Sequence, residues 1–250
     1  MSSSSSKAIV VVGASSGIGA ALARELAHDA RPVALLARRG DELRALCAAI
    51  NHKVGTTRAS AYEHDVLDTA SIPGLFDRIE QELGEVDELH YVAGVMPEVA
   101  LDEFPTDRDE LMLRVNTLGS IAWCNEAARR FGPRRRGHII GISSVAGQRG
   151  RMDRPGYNAS KAGQDVHLEA LRNRLWRQGV WVTTVRPGPV TTPMTAGSEP
   201  PMPISAERCA QLIVRARDRR RAVVYAPARW RPIMAVIRSI PSFLFRQMKF

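Results

Sequence analysis

The chain has 250 residues, of which 44% are apolar and 24% charged, an ordinary globular composition that excludes a disordered chain, a collagen-like fibre and a disulfide-stapled miniprotein. The formal net charge is +9, but residues 1–207 carry 24 Lys/Arg against 25 Asp/Glu, whereas residues 208–250 carry 11 against the single acid Asp218. A near-neutral body thus bears a basic tail, and no apolar run reaches the roughly 20 residues that a membrane-spanning helix needs.

The longest early apolar run, Ala8–Val12, is too short for a secretory signal core. Together with three scattered cysteines and no CxxC pair, it predicts a cytoplasmic protein with reduced thiols. The six histidines show no paired ligand spacing, so no metal site is expected. Nucleic-acid binding rests on tail charge alone and has no motif behind it. A membrane surface or an anionic substrate suits the mixed basic and apolar tail better.

In chain order, the serine run Met1–Ser6 predicts a disordered terminus. Ala8–Val12 predicts a strand buried on both faces, followed by the glycine turn Gly13–Gly19 and a helix over Ala20–His28. Strands are expected at Pro32–Ala37, Arg58–His64, Leu89–Ala93, His138–Ser143, Val180–Val185 and Ala222–Tyr225. Helices are expected at Asp41–Ile50, Thr69–Leu83, Asp107–Phe131 (broken only by Gly119), Tyr157–Arg177 and Ala206–Arg217. This alternation implies βαβ units with right-handed crossovers. The predicted fold is α/β: one Rossmann-like, doubly wound parallel sheet of about seven strands. The expected division is residues 1–6 disordered, 7–229 the catalytic domain and 230–250 a basic amphipathic extension.

In Gly13-Ala14-Ser15-Ser16-Gly17-Ile18-Gly19, Gly13 lets the chain turn off the strand and Gly17 lets backbone approach a pyrophosphate. Gly19 lets the helix pack on the sheet, and the helix N-terminus offers N–H groups to phosphate. Tyr157 and Lys161 lie four apart on one helix face. A nearby ammonium is expected to lower the tyrosine pKa from about 10 and make it a usable acid/base. At the end of the second strand, Ala37 stands where an acid would accept from a ribose 2′-hydroxyl. Arg38 and Arg39 follow, and guanidiniums grip phosphate, which favours NADP(H).

The GxxxGxG spacing and Tyr157-Asn158-Ala159-Ser160-Lys161 resemble the short-chain dehydrogenase/reductase family from Lys7 to about Tyr225. Asn116, Ser144 and the pair Pro187-Gly188 follow that family's order. The resemblance implies hydride transfer between a carbonyl and an alcohol, with Tyr157 as acid/base beside Lys161. It gives Ser144 (not Ser143) the substrate oxygen and Asn116 a water linking the lysine to solvent. It assigns Gly13, Ser15, Ser16, Gly17, Ile18, Gly19, Ala93, Gly94, Pro187, Gly188 and Val190 to cofactor binding. Asp65 would accept from the adenine amino group, and Val66 would pack on the ring. Val92, where the family usually has asparagine, and Val12, where it has threonine, depart from the pattern.

The proline-rich stretch Thr191–Ser205 is expected to form a mobile lid over the substrate. The resemblance also puts residues between Gly147 and Gly156 at the pocket mouth, where Arg149, Arg151 and Arg154 would either meet an anion or form a solvated loop. It implies homodimers or homotetramers built on the helices over Asp107–Phe131 and Tyr157–Arg177, with Leu111, Val115, Leu118 and Ala122 on one and Leu168, Leu171 and Leu175 on the other as the apolar faces.

In the tail, Ile233, Ile237, Ile240, Leu244 and Met248 recur at helical spacing among Arg231, Arg238, Arg246 and Lys249. Tyr225-Ala226-Pro227 and the ending Ile240-Pro241-Ser242-Phe243-Leu244-Phe245-Arg246 resemble decaprenylphosphoryl-ribose oxidoreductases. Two readings stand side by side: peripheral contact with the inner face of a membrane, or a cap on the fold. The first brings an alternative function, a membrane-surface keto-sugar reductase acting on a polyprenyl-linked sugar. An alternative of another class is a non-catalytic dinucleotide-binding regulator, which would have no need of Asn116, Ser144, Tyr157 and Lys161 together.

Overall fold

The computed structural model describes residues 7–248; the serine run and Lys249 lie outside the described residues. β1 (Ala8–Val12) is buried along its whole length. Its alternating side chains feed both layers of the core, Ile9 and Val11 on one face and Ala8, Val10 and Val12 on the other, as a strand covered on both sides requires. Then come α1 (Gly17–Leu26), β2 (Val33–Ala37), α2 (Gly40–Val54), β3 (Ala59–Glu63), α3 (Ile72–Leu83), β4 (Val86–Tyr91), α4 (Thr106–Met112), α5 (Ser120–Arg134), β5 (Gly137–Ile142), α6 (Pro155–Leu175) and β6 (Val180–Pro187). β7 (Val190–Thr191), β8 (Ile204–Ser205), α7 (Ala206–Asp218), β9 (Val223–Ala226), α8 (Trp230–Ser239) and α9 (Ser242–Phe245) complete the chain.

Seven parallel strands pair in the order β3-β2-β1-β4-β5-β6-β9, as the alternation predicted. Leu22, Leu43 and Ile213 bring α1, α2 and α7 onto one face, and Phe76, Trp123 and Leu168 bring α3, α5 and α6 onto the other. Strand order reverses between β1 and β4, which opens a crevice at their carboxyl ends. Gly13 and Val92 leave the sheet there, and Val92 N donates to the Val12 carbonyl at 2.8 Å. Val92, in place of the expected asparagine, thus keeps the backbone tie between the two strands.

Two elements differ from the sequence reading. The long helix expected over 107–131 runs as α4, a π-helical turn at Leu113–Gly119, and α5. Glycine is needed at 119 because a Cβ there would sit 2.6 Å from the Tyr91 hydroxyl, which itself donates to the Val115 carbonyl at 2.6 Å. Gly119 therefore clears a neighbour rather than breaking a helix. β4 starts at Val86, earlier than expected, because its polar residues are buried and paired. Glu88 accepts from Arg31 at 2.7 Å and sits 2.6 Å from His90 Nε2.

The tail packs on the fold. Trp230 and Met234 are buried with Val145, and Tyr225, Ile233 and Ile237 lean against them. Arg149 donates to the Arg238 and Ile240 carbonyls at 3.2 and 3.0 Å and covers the Phe245 ring at 4.4 Å. Pro241 separates α8 from α9, so the predicted stripe is divided: Ile233, Ile237 and Ile240 are half-buried, while Leu244 and Met248 are exposed.

Candidate active site

The turn after β1 is built for backbone proximity. Gly13 and Gly17 adopt positive φ, +92° and +54°, where side chains are disfavoured. A Cβ on Gly13 would strike the Ala93 backbone, and one on Gly19 the Gly13 carbonyl. The N-cap of α1, Ser16, makes no side-chain cap, so the first N–H groups of the helix stay available for an anion. Arg39 reaches back across the turn and donates to Ser15 and Ser16 Oγ at 2.9 and 2.8 Å. Arg38 is exposed and has no hydrogen-bond or ion-pair partner among the described residues.

One cleft brings together Gly13, Ser15, Ser16, Gly17, Ile18, Gly19, Arg38, Arg39, Val66, Ala93 and Gly94. Asp65 is not among its walls. Its carboxylate accepts from Leu67 N at 3.0 Å and lines an adjoining depression that shares Arg38 and His64 with the cleft. The stretch expected as a lid is rooted by β7 and β8, which pair Val190 with Ile204 and Thr191 with Ser205. Its Thr192, Pro193 and Met194 close the cleft from above.

A second hollow opens beside the first, lined by Ser144, Tyr157, Pro187, Gly188 and Val190. The two share Ile18, Thr192 and Met194 as a common wall. Ser144 Oγ accepts from Ala146 N at 3.1 Å and shares the hollow with Tyr157, whose pKa it draws down. Ser143 points elsewhere, donating to the Lys161 carbonyl at 3.2 Å. Asn116 is fully buried in the π turn. It accepts from Val95 N at 2.8 Å and donates to the Val95 carbonyl and Ser160 Oγ, both at 3.0 Å.

Lys161 is buried behind Gly94, where a Cβ would lie 3.6 Å from its Nζ. The Nζ donates to the Ile142 carbonyl at 3.0 Å and to Gln164 Oε1 at 3.1 Å, and Gln164 passes a bond on to Ser120 Oγ at 3.1 Å. Burial pushes the lysine down to about 8, opposed by Asp165. The Tyr157 hydroxyl corrects the sequence reading. Burial raises its pKa above the ordinary value, and the opposing pulls come from Ser144, Arg151 and Arg154. Lys161 Nζ lies 5.9 Å from the centre of the tyrosine ring with its donors directed to other acceptors.

Sequence reasoning placed the lid over the substrate but missed that Thr192, Pro193 and Met194 also line the glycine cleft, and it missed His64 and Gln164. His64 adjoins the expected Asp65, and the lid residues follow Val190, so neighbourhood was a usable signal for both. Gln164 carries no motif, and only the packing of α6 on α5 brings it to the lysine.

The profile described as short chain dehydrogenase matches residues 7–202. An uncharacterised oxidoreductase of Mycobacterium tuberculosis is 31% identical over 96% of both chains, and another from that organism is 30% identical, again over 96% of both. Among solved structures, an actinorhodin polyketide ketoreductase with NADPH is 30% identical with a TM-score of 0.71, covering 78% of this chain and 74% of its own. A short-chain dehydrogenase from Sphingobium yanoikuyae in complex with NADPH shares the fold, with a TM-score of 0.81 at 24% identity over 94% of this chain and 97% of that one. With the glycine turn, the switch-point cleft and this match over most of its length, the chain belongs to the short-chain dehydrogenase family.

Proposed function

We propose that the protein is an NADP(H)-dependent oxidoreductase that interconverts a carbonyl compound and a secondary alcohol. The observation that carries this reading is the shared wall of Ile18, Thr192 and Met194, which joins the glycine cleft to the hollow holding Tyr157 and Ser144. The cleft suits a dinucleotide: two positive-φ glycines, an uncapped helix N-terminus and the unpartnered Arg38 beside Arg39. NADPH accompanies the actinorhodin ketoreductase, and two guanidiniums in place of an acid favour the phosphorylated cofactor here. The adenine end would rest on Val66 with Asp65 beside it, and the nicotinamide end against Pro187, Gly188 and Val190.

When bound, the cofactor supplies or accepts the hydride. Burial keeps Tyr157 protonated at neutral pH, the form needed to donate a proton to the carbonyl oxygen in the reductive direction. Ser144, on the same hollow as Tyr157, would orient that oxygen. Lys161, fixed by Ile142 and Gln164, holds positive charge behind Gly94, and Asn116 closes the π turn above it. In the oxidative direction the same hydroxyl takes the proton back.

Residues 7–229 form the catalytic unit in this reading and residues 230–250 an extension. Assembly into dimers or tetramers would use Leu111, Leu113, Leu118 and Val166, which are exposed, because Val115, Leu168, Leu171 and Leu175 are spent inside the core. The second reading, a keto-sugar reductase at a membrane surface, draws support from exposed Val236, Phe243 and Leu244 among Arg231, Arg238 and Arg246.

Tyr157→Phe tests the first reading. Turnover of every accepted ketone should fall by about 10²–10⁴-fold, while NADPH affinity stays within about threefold. Turnover close to wild type would remove Tyr157 from the chemistry.

A further inference from the structure

The hollow above Tyr157 holds four charged side chains, Arg151, Asp153, Arg154 and Glu199. They balance in number and not in place. The charges acting on the Tyr157 hydroxyl are those of Arg151 and Arg154, and both favour negative charge there.

Neither guanidinium is saturated, although each carries five N–H donors. Arg154 reaches one acceptor, the Met96 thioether at 3.6 Å, which is a weak one. Arg151 Nε faces Asp153 Oδ1 at 3.5 Å, an ion pair without hydrogen-bond geometry, so neither buried atom is hydrogen-bonded among the described residues, and no other acceptor meets this guanidinium there. Other arginines of the chain are well supplied: Arg130 bonds Glu126, Glu80 and the Pro73 carbonyl. Arg149, in the same loop as Arg151, is turned away to the tail carbonyls and Phe245.

The loop is pinned to the helix that carries Tyr157. Asn158 Nδ2 donates to the Arg151 and Asp153 carbonyls at 3.3 and 3.1 Å, and Asn158 N donates to the Arg154 carbonyl at 3.2 Å. Arg154 itself sits at φ +50° immediately before Pro155, a conformation that an L side chain holds only at some cost. The loop therefore spends backbone strain to hold an arginine, not a glycine, at this point. A buried donor left unpaired is costly, and a charged one more so. Open guanidinium donors at the wall of a hollow are matched by an oxyanion, which takes them two at a time.

We propose that Arg151 and Arg154 form an oxyanion subsite, so that the substrate is a carbonyl compound or alcohol carrying a carboxylate or phosphate a few bonds from the reacting carbon. This rests on the reading that Tyr157 protonates that carbonyl, and the experiment separates the two.

The full-length protein with NADPH is offered two matched pairs: acetoacetate against ethyl acetoacetate, and dihydroxyacetone phosphate against dihydroxyacetone. The anionic member should lead in kcat/KM by at least about tenfold. Arg151→Gln/Arg154→Gln should collapse that ratio towards one, and Arg154→Met alone should lower it, in case the double variant folds poorly. The carboxylate pair and the phosphate pair distinguish the two kinds of anion. In parallel, inorganic phosphate and acetoacetate are titrated calorimetrically into the wild type and both variants. Saturable binding of at least one, weakened about tenfold or more in a folded variant, supports the subsite even where no ketone turns over, an outcome that would sink the reductase reading alone. The net charge of +9 attracts anions in general, so an anionic preference that survives both variants overturns the proposal. So does the absence of saturable binding by either anion.

Discussion

Arg39 and Arg38 stand side by side and do different work. The first ties the glycine turn to α2 through Ser15, Ser16 and Glu42, while the second has no such partner. Arg38→Ala should therefore weaken NADPH by about tenfold or more, the equivalent of 1.5–3 kcal/mol for a charged hydrogen bond, and leave NADH within about threefold. Arg39→Ala should weaken both cofactors, because it also loosens the turn. Equal losses for the Arg38 variant, measured by fluorescence titration, would show that it does not read a 2′-phosphate. At Lys161 the sign is set by burial, which lowers its pKa to about 8: the ammonium is present below that pH and lost above it. Reductive kcat/KM should decline as pH rises through about 8. Gln164→Leu should move that midpoint lower, because it removes an acceptor that favours the charged form. Tyr157, Lys161 and the glycines were legible from spacing, since each sits on a local turn or helix. Gln164 was not, because nothing local distinguishes it from any other helical glutamine.

Periodicity gave the helices and hydrophobic runs gave the strands, but two boundaries depended on partners distant in sequence. The π turn exists beside Tyr91, a β4 residue more than twenty positions earlier. The start of β4 was hidden by Glu88, whose burial makes sense only once His90, Arg31 and Arg217 pair with it. Gly119→Ala would force a Cβ against the Tyr91 hydroxyl. It should cost roughly 1–3 kcal/mol, read as a lowered urea midpoint, and an unchanged midpoint would mean that the turn yields freely. In the tail, helical spacing continues on both sides of Pro241, whereas the buried side chains end with Met234 in α8 and α9 is held through Arg149 on Phe245. Trp230→Ala should cost about 3–5 kcal/mol, the usual range for a buried large aromatic. If stability were untouched, α8 would not be part of the folded unit.

The whole molecule separates its chemistry from its acid sensitivity. The candidate site lies at the carboxyl ends of the strands, while Glu88 and His138 are buried in the first halves of β4 and β5. Burial pushes His138 down to about 4, so the folded chain refuses a proton that the unfolded chain accepts at about 6.5. Its contribution is whole above 6.5 and is lost as pH falls towards 4, on the order of 3 kcal/mol. Glu88, held down to about 2 by His90, Arg217 and Arg31 against its own desolvation, adds a second loss as pH falls from about 4.5. Urea midpoints should drop between pH 6.5 and 4, and His138→Gln should flatten that slope. A slope identical to wild type would relieve His138 of the role. Fold class and strand order were readable because they follow from alternation alone. This network was not, because buried polar residues inside a strand read locally as exposed ones.

Trp230 lies with its indole against Gly188, so close that a Cβ on the glycine would strike it. Gly188 also lines the hollow that holds Tyr157. Of the chain's four tryptophans, Trp176 and Trp181 are exposed and open to a collisional quencher such as iodide, whereas Trp123 and Trp230 are buried. With iodide present, the emission that survives comes from one indole deep under α5 and one at the edge of the candidate site. The protein thus carries its own optical gauge of occupancy. A shift in the iodide-resistant emission on adding substrate, absent in Trp230→Phe, would report the hollow filling without any label attached.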